Sequence, residues 1–298
     1  MYIEQAKQPY NNLILYLPIP LFFFGLIAVN FFLTDEMNTE EIIRFSIEKF
    51  GRTTFFAIMV GQLAVALFIL LFWVKFVHKQ TLTSFTTSRD TIDWGRVFFS
   101  FAVWGLLTIG LTLIGFYMSP EDFVIQFDWN KFLPFAIIAI LLIPLQTSFE
   151  EYFFRGYLMQ GLGLMAKNRW FPLLFTSVTF GLMHIANPEV GKLGYIIMVY
   201  YIGTGLFLGM ITLLDEGLEL ALGFHAANNL IGALLVTADW TAFQTYSIFK
   251  DVSEPSVGWD ILLPVLIIFP LLLIIFGKKY KWTNWLEKLT GNVHVSDQ

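Results

Sequence analysis

The sequence predicts an all-α fold, a polytopic membrane bundle of about eight transmembrane helices with both termini in the cytoplasm. Three observations predict it. Of 298 residues, 56% are hydrophobic and 14% charged, and the mean hydropathy is +0.66, more apolar surface than a water-soluble core can hide. The charged clusters are separated by apolar runs near the roughly 20 residues that a helix needs to cross about 30 Å of hydrocarbon. Lysine and arginine also divide unevenly between alternate loops, which orients such a bundle.

The elements follow in order. A polar start holding one lysine precedes the first run, 11–33, which has no small-residue cleavage site and reads as a retained span. Thr39 to Phe50 sets Ile43, Ile47 and Phe50 on one helical face, which suits either an interfacial helix or a solvated loop helix. Spans follow at 53–75, 97–118, 132–160, 170–186, 194–214, 218–238 and 260–277. The organisation expected is an N-terminal membrane region (1–130), a core of spans four to seven (131–240), and a last span with a cytoplasmic tail (241–298). Gly205 and Gly209 form a G-x-x-x-G, a close-packing helix face. No internal repeat appears, so inverted-repeat transporter folds gain no support.

The loops on the side of the termini collect Lys7, Lys75, Lys79, Arg89, Arg96, Lys167, Arg169, Lys278, Lys279, Lys281 and Lys288, against Arg44, Lys49, Arg52, Lys131, Lys192 and Lys250 opposite. That division makes the termini cytoplasmic. Cysteine is absent, which excludes disulfides, thiol nucleophiles, thiolate zinc sites and iron–sulfur clusters. A net charge of −5 argues against a nucleic-acid partner.

Ionisable groups near a bilayer centre cost about 2.5 to 3.5 kcal/mol each, so each one needs a reason. They are few: Glu150, Glu151 and Arg155 in span four, His184 in span five, and His225 beside Asn228 and Asn229 in span seven. Glu151 and Arg155, at i and i+4, can pair. Glu150 lies about 140° around the helix from Arg155 and lacks that partner, the setting of a carboxylate that takes up and releases a proton.

Spans four and five form a hairpin with its apex near residue 167, so Glu150 and His184, each 17 residues away, share a depth. Phe180 lies one turn from His184 and can wall its ring. His225 and Asn229, also i and i+4, can aim two donors at one point, as an oxyanion requires, with Asn228 able to replace Asn229. These residues suit attack of an activated water on an amide. Two histidines and two glutamates are also zinc-ligand types, so no cofactor is expected but zinc stays open.

The runs E-E-x-x-x-R (Glu150, Glu151, Arg155), F-x-x-x-H (Phe180, His184) and H-x-x-x-N (His225, Asn229) resemble, in order, the motifs of the CAAX protease and bacteriocin-processing (CPBP, Abi) family, over about Phe149 to Leu230. The resemblance implies an intramembrane glutamate endopeptidase. Glu150 would activate water with His184, His225 and Asn229 would form the oxyanion hole, and Glu151 with Arg155 would support them. It also implies a bacterial cell membrane and a membrane-associated peptide or protein as substrate, while the short Asp215 to Gly217 turn, just before the span that holds His225 and Asn229, sets the expected active site toward the cytoplasmic side. Two other classes remain at this point. One is a non-catalytic scaffold or bacteriocin self-immunity protein that binds a membrane partner on the same fold. The other is a proton-coupled transporter using Glu150 and His184 as a relay.

Overall fold

Hydrocarbon offers a peptide group no hydrogen-bond partner, so apolar runs of this length close their own backbone bonds as helices. A computed structural model of the protein describes residues 1–6, 13–33 and 39–294. Lys7 and the first two residues of the expected first span lie outside them. Helices α1 (Pro18–Leu33), α2 (Thr39–Phe50), α3 (Arg52–Phe76), the short α4 (Leu82–Thr86) and α5 (Trp94–Met118) lead to one long helical rod. That rod joins α6 (Trp129–Glu151), a π-helical segment (Tyr152–Leu158) and α7 (Met159–Ala166). Then come α8 (Trp170–Leu182), the short α9 (Pro188–Leu193), α10 (Ile197–Asp215) and α11 (Glu219–Leu235). The chain ends on α12 (Trp259–Leu263), a second π segment (Pro264–Ile268), α13 (Phe269–Lys279) and α14 (Trp285–Thr290).

A helix stands at each of the eight expected positions, but not all are full spans. Among the described residues five are long and apolar enough to cross a membrane: Arg52–Phe76, Trp94–Met118, Trp129–Ala166, Ile197–Asp215 and Ile261–Lys279. The 13 residues of α8 reach only about 20 Å at the helical rise. This corrects the expected span 170–186. The helix stops at Leu182 because Pro188 opens α9 and holds Asn187 in an extended conformation, leaving His184 in a turn.

A small sheet was not expected either. Strands β1 (Phe123–Ile125), β2 (Val236–Thr237) and β3 (Phe249–Asp251) order as β1-β3-β2, with β3 antiparallel to β1 and parallel to β2. Strands of two or three residues leave no alternating pattern to read.

The two ends of the bundle differ. At one, left-handed residues Lys167 (φ 54°) and Glu216 (φ 59°) turn α7 into α8 and α10 into α11, and both chain ends are tied to those turns. Arg169 pairs with Glu4 at 3.0 Å, the Tyr2 N–H donates to Glu216, and Lys288 Nζ donates to the Leu214 carbonyl at 2.8 Å. Arg89 pairs with Asp215 at 2.6 Å, Arg96 pairs with the same carboxylate, and Trp282 Nε1 donates to it at 2.8 Å. At the other end lie α2, the sheet, α9 and the 238–247 loop, joined by Lys192 to Glu40 at 2.8 Å and by the Ala242 N–H to Glu189 at 2.9 Å.

Helix α2 buries Ile43, half-buries Ile47 and exposes Phe45 and Phe50. Between the ends, helix axes come very close. A Cβ on Gly205 would lie 2.6 Å from the Ser177 carbonyl oxygen, and one on Gly223 would lie 2.0 Å from that of Val97. Glycine is what allows α10 to seat on α8 and α11 on α5.

Candidate active site

The motif residues come from three stretches that the fold brings together. The rod supplies Glu150 and Glu151 at the end of α6, just before its backbone widens into the π segment that holds Arg155. Glu151 and Arg155 are fully buried, and Arg155 Nη1 donates to Glu151 Oε1 at 2.9 Å. Arg155 Nη2 donates to the Gly205 carbonyl at 3.0 Å, and the guanidinium lies 4.2 Å from the centroid of the Phe180 ring. One arginine therefore ties the rod to α8 and α10.

His225, on α11, places Nδ1 2.7 Å from that same Glu151 Oε1. A carboxylate oxygen only accepts, so Nδ1 carries the proton and Nε2 turns to the second glutamate, 3.7 Å from Glu150 Oε2. Glu151 was expected to pair with Arg155 in support of the site; it also sets the imidazole.

Glu150 was expected to lack the Arg155 guanidinium as a partner. It has one in Gln146, one turn earlier, whose Nε2 donates to Oε1. The other end of that amide, Gln146 Oε1, accepts from Asn229 Nδ2 at 3.3 Å. Asn229 thus has one N–H engaged and one left. Asn228 does not stand in for it: Oδ1 accepts from Trp104 Nε1 at 3.1 Å and Tyr200 OH at 3.2 Å, while Nδ2 donates to Asn229 Oδ1 at 3.0 Å. Asn228 orients its neighbour because its own oxygen is already held.

His184, in the turn after α8, bonds through Nδ1 to the Phe180 carbonyl at 2.8 Å. A carbonyl accepts, so this imidazole too is protonated at Nδ1 and keeps an Nε2 lone pair for a ligand. Its ring stacks on Tyr201 with centroids 4.5 Å apart, and Phe180 lies between the two histidines, at 4.9 Å from His184 and 5.8 Å edge-on from His225.

Glu150, His184, His225, Asn228 and Asn229 line one cavity of about 510 Å³. Its walls continue through Asn187, Glu189 and residues 235–238 and 240–243 to Asp251, which belong to the end of the bundle opposite the termini. The sequence places the site toward the cytoplasmic side because His225 lies within two turns of the Asp215 to Gly217 turn. The cavity runs toward the other end of the bundle.

Gln146, Trp104, Tyr200 and Tyr201 were missed. Gln146 had a signal, as an amide in an otherwise apolar half-helix one turn before Glu150; the two tyrosines and the tryptophan look like ordinary lipid-facing or packing aromatics. Among the described residues no group of three histidine, aspartate or glutamate side chains is arranged to hold a metal ion.

The fold and the cavity define a helical membrane protein with a buried carboxylate–histidine cluster. Residues 129–231 match the family model described as type II CAAX prenyl endopeptidase Rce1-like, and the resemblance read from the three motifs holds over this stretch. The chain is 31% identical over 188 residues to the uncharacterized protein YyaK of Bacillus subtilis (strain 168). That alignment covers 63% of this chain and 63% of the relative's length. No solved structure matches the chain.

Proposed function

We propose that the protein is a membrane-embedded endopeptidase of the CAAX-protease type, cleaving a membrane-associated peptide or protein with water activated by Glu150. The observation that carries this reading is the convergence of Glu150, His184, His225 and Asn229 on one cavity, with Glu150 held by Gln146 and facing His225 Nε2. Water between Glu150 and the His184 Nε2 lone pair would lose a proton to Glu150 as its oxygen attacks the peptide carbonyl carbon. The oxyanion that forms would be met by the unengaged N–H of Asn229, and by His225 Nε2 when that ring is the imidazolium. Collapse breaks the C–N bond, and the proton on Glu150 passes to the departing amine. Glu151 and Arg155 hold His225 and touch no reacting atom. With basic residues marking the cytoplasmic end, the cavity faces the outer side of a bacterial cell membrane.

The test is cleavage of membrane-associated peptides by the purified chain and by Glu150→Gln, which keeps the side-chain shape and removes the base. Activity is expected to vanish in the variant while its melting temperature holds. It is also expected to survive strong chelators, since Glu150 and His184 suffice to activate water. Unchanged cleavage by Glu150→Gln would overturn the mechanism. Inactivation by chelation, reversed by added zinc, would replace glutamate with metal catalysis.

A further inference from the structure

The cavity is lopsided in charge. Glu150, Glu189 and Asp251 line it, and no lysine or arginine does. The cations on nearby elements are engaged elsewhere, Lys250 with Asp239 at 2.6 Å and Lys192 with Glu40 at 2.8 Å.

The cavity is also unsatisfied. Glu189 Oε1 accepts the Ala242 N–H at 2.9 Å, but its Oε2 is shut off from solvent and has no hydrogen-bond partner. Trp240 Nε1, on the same lining, is likewise buried without a partner. A buried polar atom with no partner carries the full cost of its lost hydration, and a ligand that supplies the partner recovers it. Burial raises the Glu189 carboxyl above the ordinary carboxylate range, the environment in which an incoming cation is most strongly held. Glu189 lies five residues after His184 on the same wall, so a peptide with its scissile carbonyl at Glu150 would carry neighbouring side chains past it.

We propose that this cavity selects a cationic peptide segment, with Glu189 receiving a lysine or arginine side chain beside the scissile bond and Trp240 donating to a peptide carbonyl. The proposal rests on the endopeptidase reading for the word scissile, but its binding preference stands apart from turnover.

The experiment measures binding by the full chain in lipid nanodiscs, in the Glu150→Gln background so that nothing is cleaved. The probes are three apolar alanine–leucine peptides identical but for one residue: lysine, glutamine or glutamate. Lysine is expected to bind about tenfold more tightly than glutamine, the usual worth of a hydrogen bond to a charged group, and glutamate most weakly. Adding Glu189→Gln should erase the lysine advantage and leave the affinity for the glutamine peptide unchanged. Equal binding of the three peptides overturns the proposal, and so does a lysine advantage that survives Glu189→Gln. Should that variant fail to fold, the order of the three peptides on the chain with native Glu189 decides alone. Absence of cleavage by the unaltered chain, with the lysine preference intact, would sink the protease reading and leave the cationic ligand standing.

Discussion

His225 reaches Glu151 through Nδ1 at 2.7 Å, on the same carboxylate oxygen that Arg155 contacts at 2.9 Å. Two adjacent glutamates thus do different work: Glu151 fixes an imidazole and a guanidinium in a fully buried position, and Glu150 faces the cavity.

The first prediction follows from that sharing. Glu151→Gln leaves Arg155 without its counter-charge and offers Arg155 Nη1 and His225 Nδ1 a neutral amide oxygen in place of a carboxylate, so it should destabilise the protein by about 3 to 5 kcal/mol. Thermal melts in nanodiscs check this. A Glu151→Gln protein as stable as the parent, with only activity lost, would move Glu151 into the chemistry.

Gln146 holds Glu150 with one end of its amide and Asn229 with the other. Gln146→Leu should lower kcat by about 10²-fold through misplacement of both, with KM and folding little changed. A rise in KM alone would show that Gln146 binds substrate rather than positioning the base.

Orientation can be read with single cysteines, because the chain has none. Thr283→Cys, at the end that carries the termini, should resist an impermeant thiol reagent added to intact cells, and Ser256→Cys, beside the cavity end, should react. The reverse pattern would put the cavity mouth in the cytoplasm and the basic residues outside.

A pH effect arises away from the site. Burial lowers His78, in the turn after α3, from 6.5 to about 4, where its Nε2 meets Tyr157 OH at 3.0 Å beneath the Tyr16 ring. The unfolded chain takes up this proton below about pH 6.5, the folded chain only near pH 4. Stability should therefore fall as pH drops between those values, with the full loss below 4. The melting temperature of the native chain should decline more steeply from pH 7 to 4.5 than that of His78→Gln. Parallel declines would assign the acid sensitivity to other groups.

The membrane class, the helix order and the three motifs were legible because hydrophobic run length and buried charge are local signals. Spacing along one helix also gave the Glu151 to Arg155 pair. It could not give the bond from His225 to Glu151 or the amide bridge through Gln146, because each joins two helices whose relative rotation depends on packing, such as the seat of α11 on α5 at Gly223. The early end of α8 was written in Asn187 and Pro188, but the apolar run across them hid it. The direction of the cavity had no signature at all, since its wall is assembled from many separate helices and loops.

The π segment that follows Glu151 sets the rotation between the two carboxylates and the terminal anchor. Upstream of it, Glu150 and Glu151 are set by α6. Downstream, Gln160 Nε2 donates to the Tyr2 carbonyl at 3.2 Å, and a Cβ on Gly163 would lie 2.7 Å from Ile3. A wide turn carries one residue more than α-helix over about the same rotation, so loss of a single residue between Tyr152 and Leu158 would be taken up as the turn relaxes to ordinary α-helix, whereas loss of a second would swing everything beyond it by about 100° against everything before it. Either the carboxylates or the N-terminal seat would then face the wrong way, so this stretch can give up one residue but not two.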